Sequence, residues 1–154
     1  MKTDSSTLVI IDMQPYFACI KQILTTCKEE IKKAIKNTNH IIFLEFAGCG
    51  VTDNELILLM IEKGYSNYSI VSKNQNDGST AIAATVKPEH ADLTKFKVCG
   101  VYTDRCVFDT VRGLLRVFPG CSIEVVKDAV RTSEALIQME YLHKMRELAS
   151  VVVR

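Results

Sequence analysis

The sequence predicts an α/β protein: a three-layer, doubly wound sheet of six mainly parallel strands with helices on both faces. Short apolar segments alternate with longer segments in which apolar residues recur every three or four positions. The short segments are almost continuously apolar, as is typical of parallel strands covered on both faces. No linker, repeat or low-complexity stretch interrupts the sequence, so we predict a single domain over residues 1–154.

Strands and helices are predicted in strict alternation, which implies right-handed crossovers between parallel strands. Polar or glycine-rich stretches separate the elements, and Pro119-Gly120 ends the fourth helix. Thr52 and Glu55 have the spacing of a capping box at the start of the second helix. The predicted strands are 7–12, 40–46, 68–72, 97–101, 122–126 and 150–153, and the predicted helices are 17–36, 52–63, 80–86, 106–118 and 133–148.

Composition narrows the class of protein. Net charge is +1 and the basic residues are scattered, apart from a helix face over 28–36 that is better explained by solvation, so we predict no nucleic-acid partner. No apolar run approaches the roughly 18 residues that span a membrane. The first residues lack a secretory pattern, and six cysteines without a CxxC motif indicate reduced thiols. We therefore predict a cytoplasmic protein without a cofactor or metal.

Cys106 is the first candidate functional residue. It follows the predicted fourth strand, and Thr103 and Asp104 are good helix caps, so the thiol is predicted on the first turn of a helix. Unpaired N–H groups and the helix dipole there would lower the pKa of the thiol and favour the thiolate. The alternative, equally compatible with position alone, is an inert cysteine in the core.

Two more reactive side chains follow predicted strands, namely Asp12 after the first and Lys73 after the third. The carboxyl ends of parallel strands face one crevice, so these side chains and Cys106 are expected to meet there. Taken singly, Asp12 could be a helix cap and Lys73 a solvated loop residue. Together they provide a nucleophile, a proton acceptor and a cation that stabilises developing charge.

The sequence resembles the isochorismatase-like cysteine hydrolases, which include the nicotinamidases. The matching segments are LVIIDMQPYF (8–17), VSKN (71–74), CGVYTDRCVFDT (99–110) and VVKDA (125–129), in an order and spacing that fit nearly the whole chain. This resemblance implies a six-stranded parallel sheet and a catalytic triad of Asp12, Lys73 and Cys106. Cys106 would attack a carbonyl carbon to give a thioester, and Asp12 would accept and later return its proton.

The resemblance also implies an oxyanion site and a cis peptide. The cis bond would join Val101 to Tyr102, and the backbone N–H groups of Tyr102 and Cys106 would bind the oxyanion. Nicotinamidases carry an aspartate and two histidines as a metal site after the second strand, whereas residues 45–56 contain no histidine here. The chain is short for the family. We therefore expect a metal-independent hydrolase whose pocket is open or completed by a second subunit.

Five residues are further candidates for contact with a small-molecule substrate, by position alone. Gln14 and Phe17 follow Asp12, Glu45 and Phe46 end the second strand, and Tyr102 adjoins the oxyanion site. For the two phenylalanines, an ordinary place in the core is an equally good interpretation. Glu45 needs a partner or solvent, because it lies within an apolar strand.

The sequence leaves three functions open. Hydrolysis of a small amide or related C–N bond is preferred, and enol-ether hydrolysis of the isochorismatase type is a variant of it. A non-catalytic binding or assembly module is the third. Family resemblance predicts a homo-oligomer, a dimer or larger, and the apolar face LILLMI (56–61) could form part of its interface or be buried in the core.

Overall fold

The fold is a six-stranded parallel sheet in the strand order β3-β2-β1-β4-β5-β6, as seen in a computed structural model that describes residues 5–154. Residues 1–4 of the predicted domain lie outside the described residues. Every neighbouring pair of strands is parallel, which confirms the predicted fold class. The order reverses between β1 and β4, and ligands bind at such a switch point in open parallel sheets.

Eleven helices and strands make up the alternating pattern in the described residues. The strands are β1 Thr7–Ile11, β2 Ile41–Phe46, β3 Tyr68–Lys73, β4 Lys95–Val101, β5 Ser122–Arg131 and β6 Val151–Val153. The helices are α1 Leu24–Lys36, α2 Asn54–Glu62, α3 Ser79–Thr85, α4 Phe108–Val117 and α5 Ala135–Arg146. A 3-10 helix Ala18–Gln22 precedes α1, and a π-helical turn Thr103–Val107 precedes α4.

Helices cover both faces of the sheet, because successive strand residues point to opposite sides. In β1, Val9 and Ile11 join a core with residues of α3 and α4, whereas Leu8 and Ile10 join a second core with residues of α1 and α2. All four of these side chains are almost fully buried. The strands therefore read as continuous apolar runs, as the sequence indicated.

The predicted first helix is divided into two parts. Residues 17–36 form the 3-10 helix and then α1, because the backbone of Ile23 (φ −123°, ψ 7°) leaves the helical region. Ile23 still donates its N–H to Ile20 O, and its carbonyl accepts from Cys27 N. Both parts bury the same apolar stripe. The spacing of the apolar residues therefore predicted which side of the helix is buried, but not the break at Ile23.

The predicted end of β5 at residue 126 is also wrong. β5 continues to Arg131, and its pairing with β4 shifts register between Val98 and Gly100. The exposed Lys127 and Asp128 lie within this irregularity. The polar pair therefore marks a bulge within the strand rather than its end.

The capping box at Thr52 and Glu55 does not form. Asp53 is the N-cap of α2 and accepts a hydrogen bond from Glu55 N at 2.9 Å. Thr52 instead donates through its backbone N and hydroxyl to Glu45 Oε2, at 2.7 and 2.8 Å. Since Asp53 follows Thr52 directly, the helix begins one residue later than the motif indicated.

The last helix buries only some of its large apolar side chains. Met145 is fully buried, but Leu136 is 80% and Met139 66% exposed. The helix instead buries Gln138, whose amide bonds the backbone carbonyl of Val130. Among residues 5–154, no helix is long and apolar enough to cross a membrane.

Candidate active site

Asp12, Lys73 and Cys106 meet at the carboxyl edge of the sheet, next to the switch point between β1 and β4. Lys73 Nζ lies 3.0 Å from Asp12 Oδ2 and 3.4 Å from Cys106 Sγ. All three side chains are buried, with relative exposures between 1% and 6%. The residues are far apart in sequence, so the sheet topology alone brings the carboxylate, the cation and the thiol together.

Asp12 is positioned by the close packing of β1 against β4. It follows the last residue of β1 and has a positive φ of 53°, which Asp tolerates better than most residues. Beside it, Gly100 (φ +127°) has its Cα so close to β1 that a Cβ would lie 2.1 Å from Ile11 O. Glycine is therefore required at position 100 for the two strands to approach at the point where the carboxylate leaves the sheet.

Lys73 ends β3, and its ammonium group is held from several sides. In addition to Asp12, Nζ donates to Gln75 O at 3.0 Å and lies 4.3 Å from the centre of the Phe46 ring. The ring face is negative in its charge distribution and attracts the cation. These contacts hold the ammonium group beside the sulfur.

Cys106 lies in the π-helical turn rather than on the first turn of an α-helix. Tyr102 occupies the N-cap position without a side-chain cap, so the predicted caps at Thr103 and Asp104 are wrong. Thr103 Oγ1 donates to Gln138 Oε1 at 2.6 Å, and Asp104 Oδ1 accepts from Thr132 Oγ1 at 2.6 Å. These bonds tie the turn to α5 and to the residue that follows β5, and so fix the position of Cys106.

The predicted low pKa of the thiol is also wrong. Burial, followed by the negative charge of Asp12, raises the pKa of Cys106 to about 12, and the nearby Lys73 only partly opposes this. Burial likewise raises the pKa of Asp12 above its ordinary 3.8, against the effects of Lys73 and Cys106. Desolvation and a like charge therefore outweigh the helix-end effect on which the prediction rested.

The resting site thus holds a protonated thiol beside a carboxylate and a lysine. Asp12 Oδ2 accepts from Lys73, while Asp12 Oδ1 is buried and accepts no hydrogen bond within normal limits from the described residues. Nevertheless, the carboxylate is near enough to Cys106 to affect its pKa. Oδ1 is therefore the carboxylate oxygen that is left without a hydrogen-bond partner among the described residues.

A cavity of about 580 Å³ opens above these residues, a volume suited to a small molecule. Cys106, Asp12, Phe17, Phe46 and Tyr102 are among the residues that line it. The rings of Phe17 and Tyr102 meet edge to face, with centroids 5.8 Å apart. These three of the five predicted substrate contacts face the cavity, and the Val101–Tyr102 peptide is cis, as the resemblance implied.

Gln14 and Glu45 do not line the cavity, in contrast to the sequence prediction. Gln14 Nε2 donates to Phe46 O and to Gly50 O, the latter at 2.8 Å, and Gln14 Oε1 accepts from Phe46 N. Glu45 accepts both hydrogen bonds of Thr52. Both side chains are used to hold residues 46–52 in place, because an acid or amide at a strand end must find internal partners when buried.

Other lining residues were missed by sequence reasoning. The described lining also contains Cys49, Asn76, Asp104, Arg105, Thr132, Ser133, Glu134 and Ile137. Four of them follow β5, which the sequence ended five residues too early. Had the strand been extended to Arg131, the rule that ligands bind at carboxyl ends would have indicated residues 132–134.

Metal binding has no evident site in the part of the chain that the structure describes. No group of three or more His, Cys, Asp or Glu side chains is arranged to hold an ion there. The region after β2, where nicotinamidases are expected to bind metal, contributes Cys49 to the cavity instead.

Comparison with solved structures identifies the fold. The chain is similar to a nicotinamidase from Staphylococcus aureus (TM-score 0.82, 18% identity), with 97% of this chain and 96% of that chain covered. It is similar to an isochorismatase-like hydrolase from Alkaliphilus metalliredigens (TM-score 0.79, 15% identity), with 98% of this chain and 94% of that chain covered. It is also similar to a ribonuclease from Caenorhabditis elegans (TM-score 0.78, 22% identity), with 99% of this chain and 78% of that chain covered.

These likenesses show that the chain has the isochorismatase-like fold, as the sequence resemblance implied. No protein-family model matches the sequence. No curated protein matches it significantly. At such low identities the same fold occurs in proteins of different activity, so function has to be argued from the site.

Proposed function

We propose that this protein is a metal-independent cysteine hydrolase that cleaves a small amide or related C–N bond through a thioester on Cys106. The observation that carries the proposal is the contact of Lys73 Nζ with both Asp12 Oδ2 (3.0 Å) and Cys106 Sγ (3.4 Å), two residues that line a cavity. A buried thiol and a buried carboxylate that both contact one ammonium group support covalent catalysis by the thiol.

In the first half of the reaction, Cys106 Sγ attacks the carbonyl carbon and an S–C bond forms. The thiol proton passes to Asp12 Oδ1, and the carbonyl oxygen becomes an oxyanion that accepts from the backbone N–H groups of Tyr102 and Cys106. When the C–N bond breaks, the nitrogen takes the proton from Asp12 and leaves as an amine. Lys73 stabilises the carboxylate and the developing thiolate throughout.

In the second half, water attacks the thioester carbon and gives its proton to Asp12. The S–C bond then breaks, the sulfur recovers the proton from Asp12, and the carboxylic acid is released. The net change is amide plus water to acid plus amine. Since the pKa of Cys106 is about 12, proton transfer to Asp12 accompanies the attack rather than preceding it.

Charges around the cavity favour a neutral substrate. In the described lining, Arg105 is accompanied by Asp104 and Glu134, while Asp12 is already paired with Lys73. The mouth is therefore net negative and repels anions. This argues against the dicarboxylate of an isochorismatase-type reaction and against a nucleic-acid substrate, so we retain the prediction of no nucleic-acid partner.

A panel of small neutral amides tests the proposal. The protein should release amine from at least one, and mass spectrometry of the quenched reaction should find the acyl group on the peptide containing Cys106. Cys106→Ala should abolish both signals, whereas the control Cys121→Ala, which removes a buried thiol outside the cavity lining, should retain them. Turnover that persists in Cys106→Ala would refute the covalent mechanism. Absence of turnover and of adduct in the wild type would favour a non-catalytic module.

Oligomeric state and location remain predictions. A homo-oligomer is compatible with the exposed apolar residues Leu58 and Ile61 of α2 and Ile70 of the edge strand β3. Light scattering during size-exclusion chromatography measures it directly, and a monomeric mass at working concentrations would contradict it. The cytoplasmic location is inferred from the reduced cysteines.

A further inference from the structure

Asn76 lies next to the nucleophile without taking part in the proposed triad. Its side-chain Oδ1 is 3.7 Å from Cys106 Sγ, within the range for a thiol hydrogen bond, and the residue lines the cavity. Within the described chain, the sulfur is the one side-chain partner recorded for this carboxamide. A carboxamide has two donor hydrogens and two acceptor lone pairs, so most of the hydrogen-bonding capacity of this side chain is not used by the described residues.

The backbone around Asn76 is held rigidly on both sides. Gln75 O accepts from Lys73 Nζ at 3.0 Å, and Asn76 O accepts from Thr110 Oγ1 at 3.3 Å. Two residues further, Gly78 N donates to the same Thr110 hydroxyl at 3.0 Å. The exposed side chain of Asn76 is therefore presented by a segment anchored to the triad lysine and to α4, as a specificity residue requires.

We propose that Asn76 determines specificity in the proposed reaction: its Oδ1 accepts a hydrogen bond from an N–H on the leaving nitrogen of the substrate. This inference rests on the proposed function. A carbonyl carbon poised for attack lies roughly 3–3.5 Å from the sulfur. Its amide nitrogen is about 1.3 Å further along a bond. Asn76 Oδ1 is 3.7 Å from the same sulfur. When the leaving nitrogen of the substrate is on the side of Asn76, it therefore lies within hydrogen-bond reach of this oxygen.

The contact selects one chemical class of substrate. A primary or secondary amide, or a ureido compound, has an N–H on the leaving nitrogen, whereas an ester of the same acid has an oxygen there and no donor. With the ester, Oδ1 of Asn76 would face a second acceptor. Sites that form a hydrogen bond to a substrate N–H reject analogues that lack it, because the polar group of the site is then left unpaired.

The test compares matched amides and methyl esters of the same acids in the wild type and in Asn76→Ala. We expect kcat/KM for the amide to fall roughly tenfold or more in the variant, with the ester little changed, so that the amide-to-ester ratio falls by about the same factor. Asn76→Asp keeps an acceptor and should retain the ratio although both rates fall. Asn74→Ala, an exposed neighbour outside the described cavity lining, is the control.

A change in selectivity separates this role from a merely structural one. Disturbance of the loop would lower both rates and leave the ratio constant, and that result would overturn the inference. If the ratio is constant while Cys106→Ala abolishes turnover, the inference fails and the proposed hydrolase stands. If the wild type neither turns over any pair nor forms an adduct on Cys106, the proposed function fails and the inference with it.

Discussion

Asp12→Asn should make Cys106 more reactive towards alkylation while it abolishes hydrolysis. The substitution removes the negative charge that, after burial, contributes most to the high pKa of the thiol, and leaves Lys73, which lowers it. The thiolate is the species that iodoacetamide alkylates, so its population sets the rate. Hydrolysis is lost in the same variant because no carboxylate remains to accept and return the proton.

The expected size of the effect follows from the pKa. A shift from the ordinary 9.0 to about 12 lowers the thiolate fraction near pH 7 by about a thousandfold relative to an unperturbed cysteine. Removal of an adjacent like charge typically changes a pKa by about 1–3 units. We therefore expect Asp12→Asn to accelerate alkylation of Cys106 by roughly ten- to a thousandfold.

The assay is a time course with iodoacetamide at pH 7, read peptide by peptide in a mass spectrometer. Cys49 lines the same cavity and is more exposed, so its labelling reports whether the reagent reaches the site in both proteins. Wild-type Cys106 that reacts as fast as a free thiol would show that burial does not suppress its ionisation. Equal or slower labelling in Asp12→Asn would show that the carboxylate does not control the sulfur.

Three further predictions concern the charged pair and the strands that hold it. Lys73→Met leaves a buried carboxylate unpaired and should lower the free energy of unfolding, measured by urea titration, by roughly 3–5 kcal/mol. The double variant with Asp12→Asn should regain much of this loss. A loss below about 1 kcal/mol would contradict a buried pair. A plot of kcat/KM against pH should fall on the acid side with a midpoint above pH 3.8, because protonated Asp12 cannot take the thiol proton. A midpoint below pH 3.8 would contradict the raised pKa of Asp12. Gly100→Ala should lower the free energy of unfolding by roughly 3 kcal/mol, because the added Cβ would collide with Ile11 O. At Gly120 an added Cβ would have no atom within 4 Å, so Gly120→Ala should lower it by about 1 kcal/mol. Thermal unfolding measures both changes. Equal costs at the two glycines would contradict a close approach of β1 and β4.

The architecture was predictable because apolar runs and apolar periodicity directly reflect burial. Each strand was predicted near its observed position, and the parallel pairing follows from strands that are covered on both faces. The misplaced boundaries have local causes. Lys127-Asp128 interrupts the apolar run at a bulge of β5, and the backbone of Ile23 divides the first helix without interrupting its apolar stripe.

The site was predictable to the extent that topology determines it. Asp12, Lys73 and Cys106 each lie at or just beyond a strand end, so alternation of strands and helices is enough to bring them to one edge. Asn76 lies in an irregular loop, three residues beyond β3, and no periodicity reports the direction of its side chain. Gln14 and Glu45 were expected in the cavity, but their polar atoms found partners in the backbone of residues 46–52.

Position and ionisation of the nucleophile depend on different physics, which is why the sequence located the sulfur but predicted the wrong sign of its pKa shift. Its position follows from the strand order. Its pKa instead reflects burial together with a carboxylate and an ammonium group that come from two other strand ends. Because Asp12 is already charged and balanced by Lys73, a second negative charge on Cys106 would leave the buried site with a net charge. The thiol therefore keeps its proton in the resting site, and in the proposed mechanism it loses the proton only when a substrate carbonyl is in position to take the electron pair. This restriction protects the sulfur from adventitious electrophiles, and loss of the Asp12 charge should remove that protection.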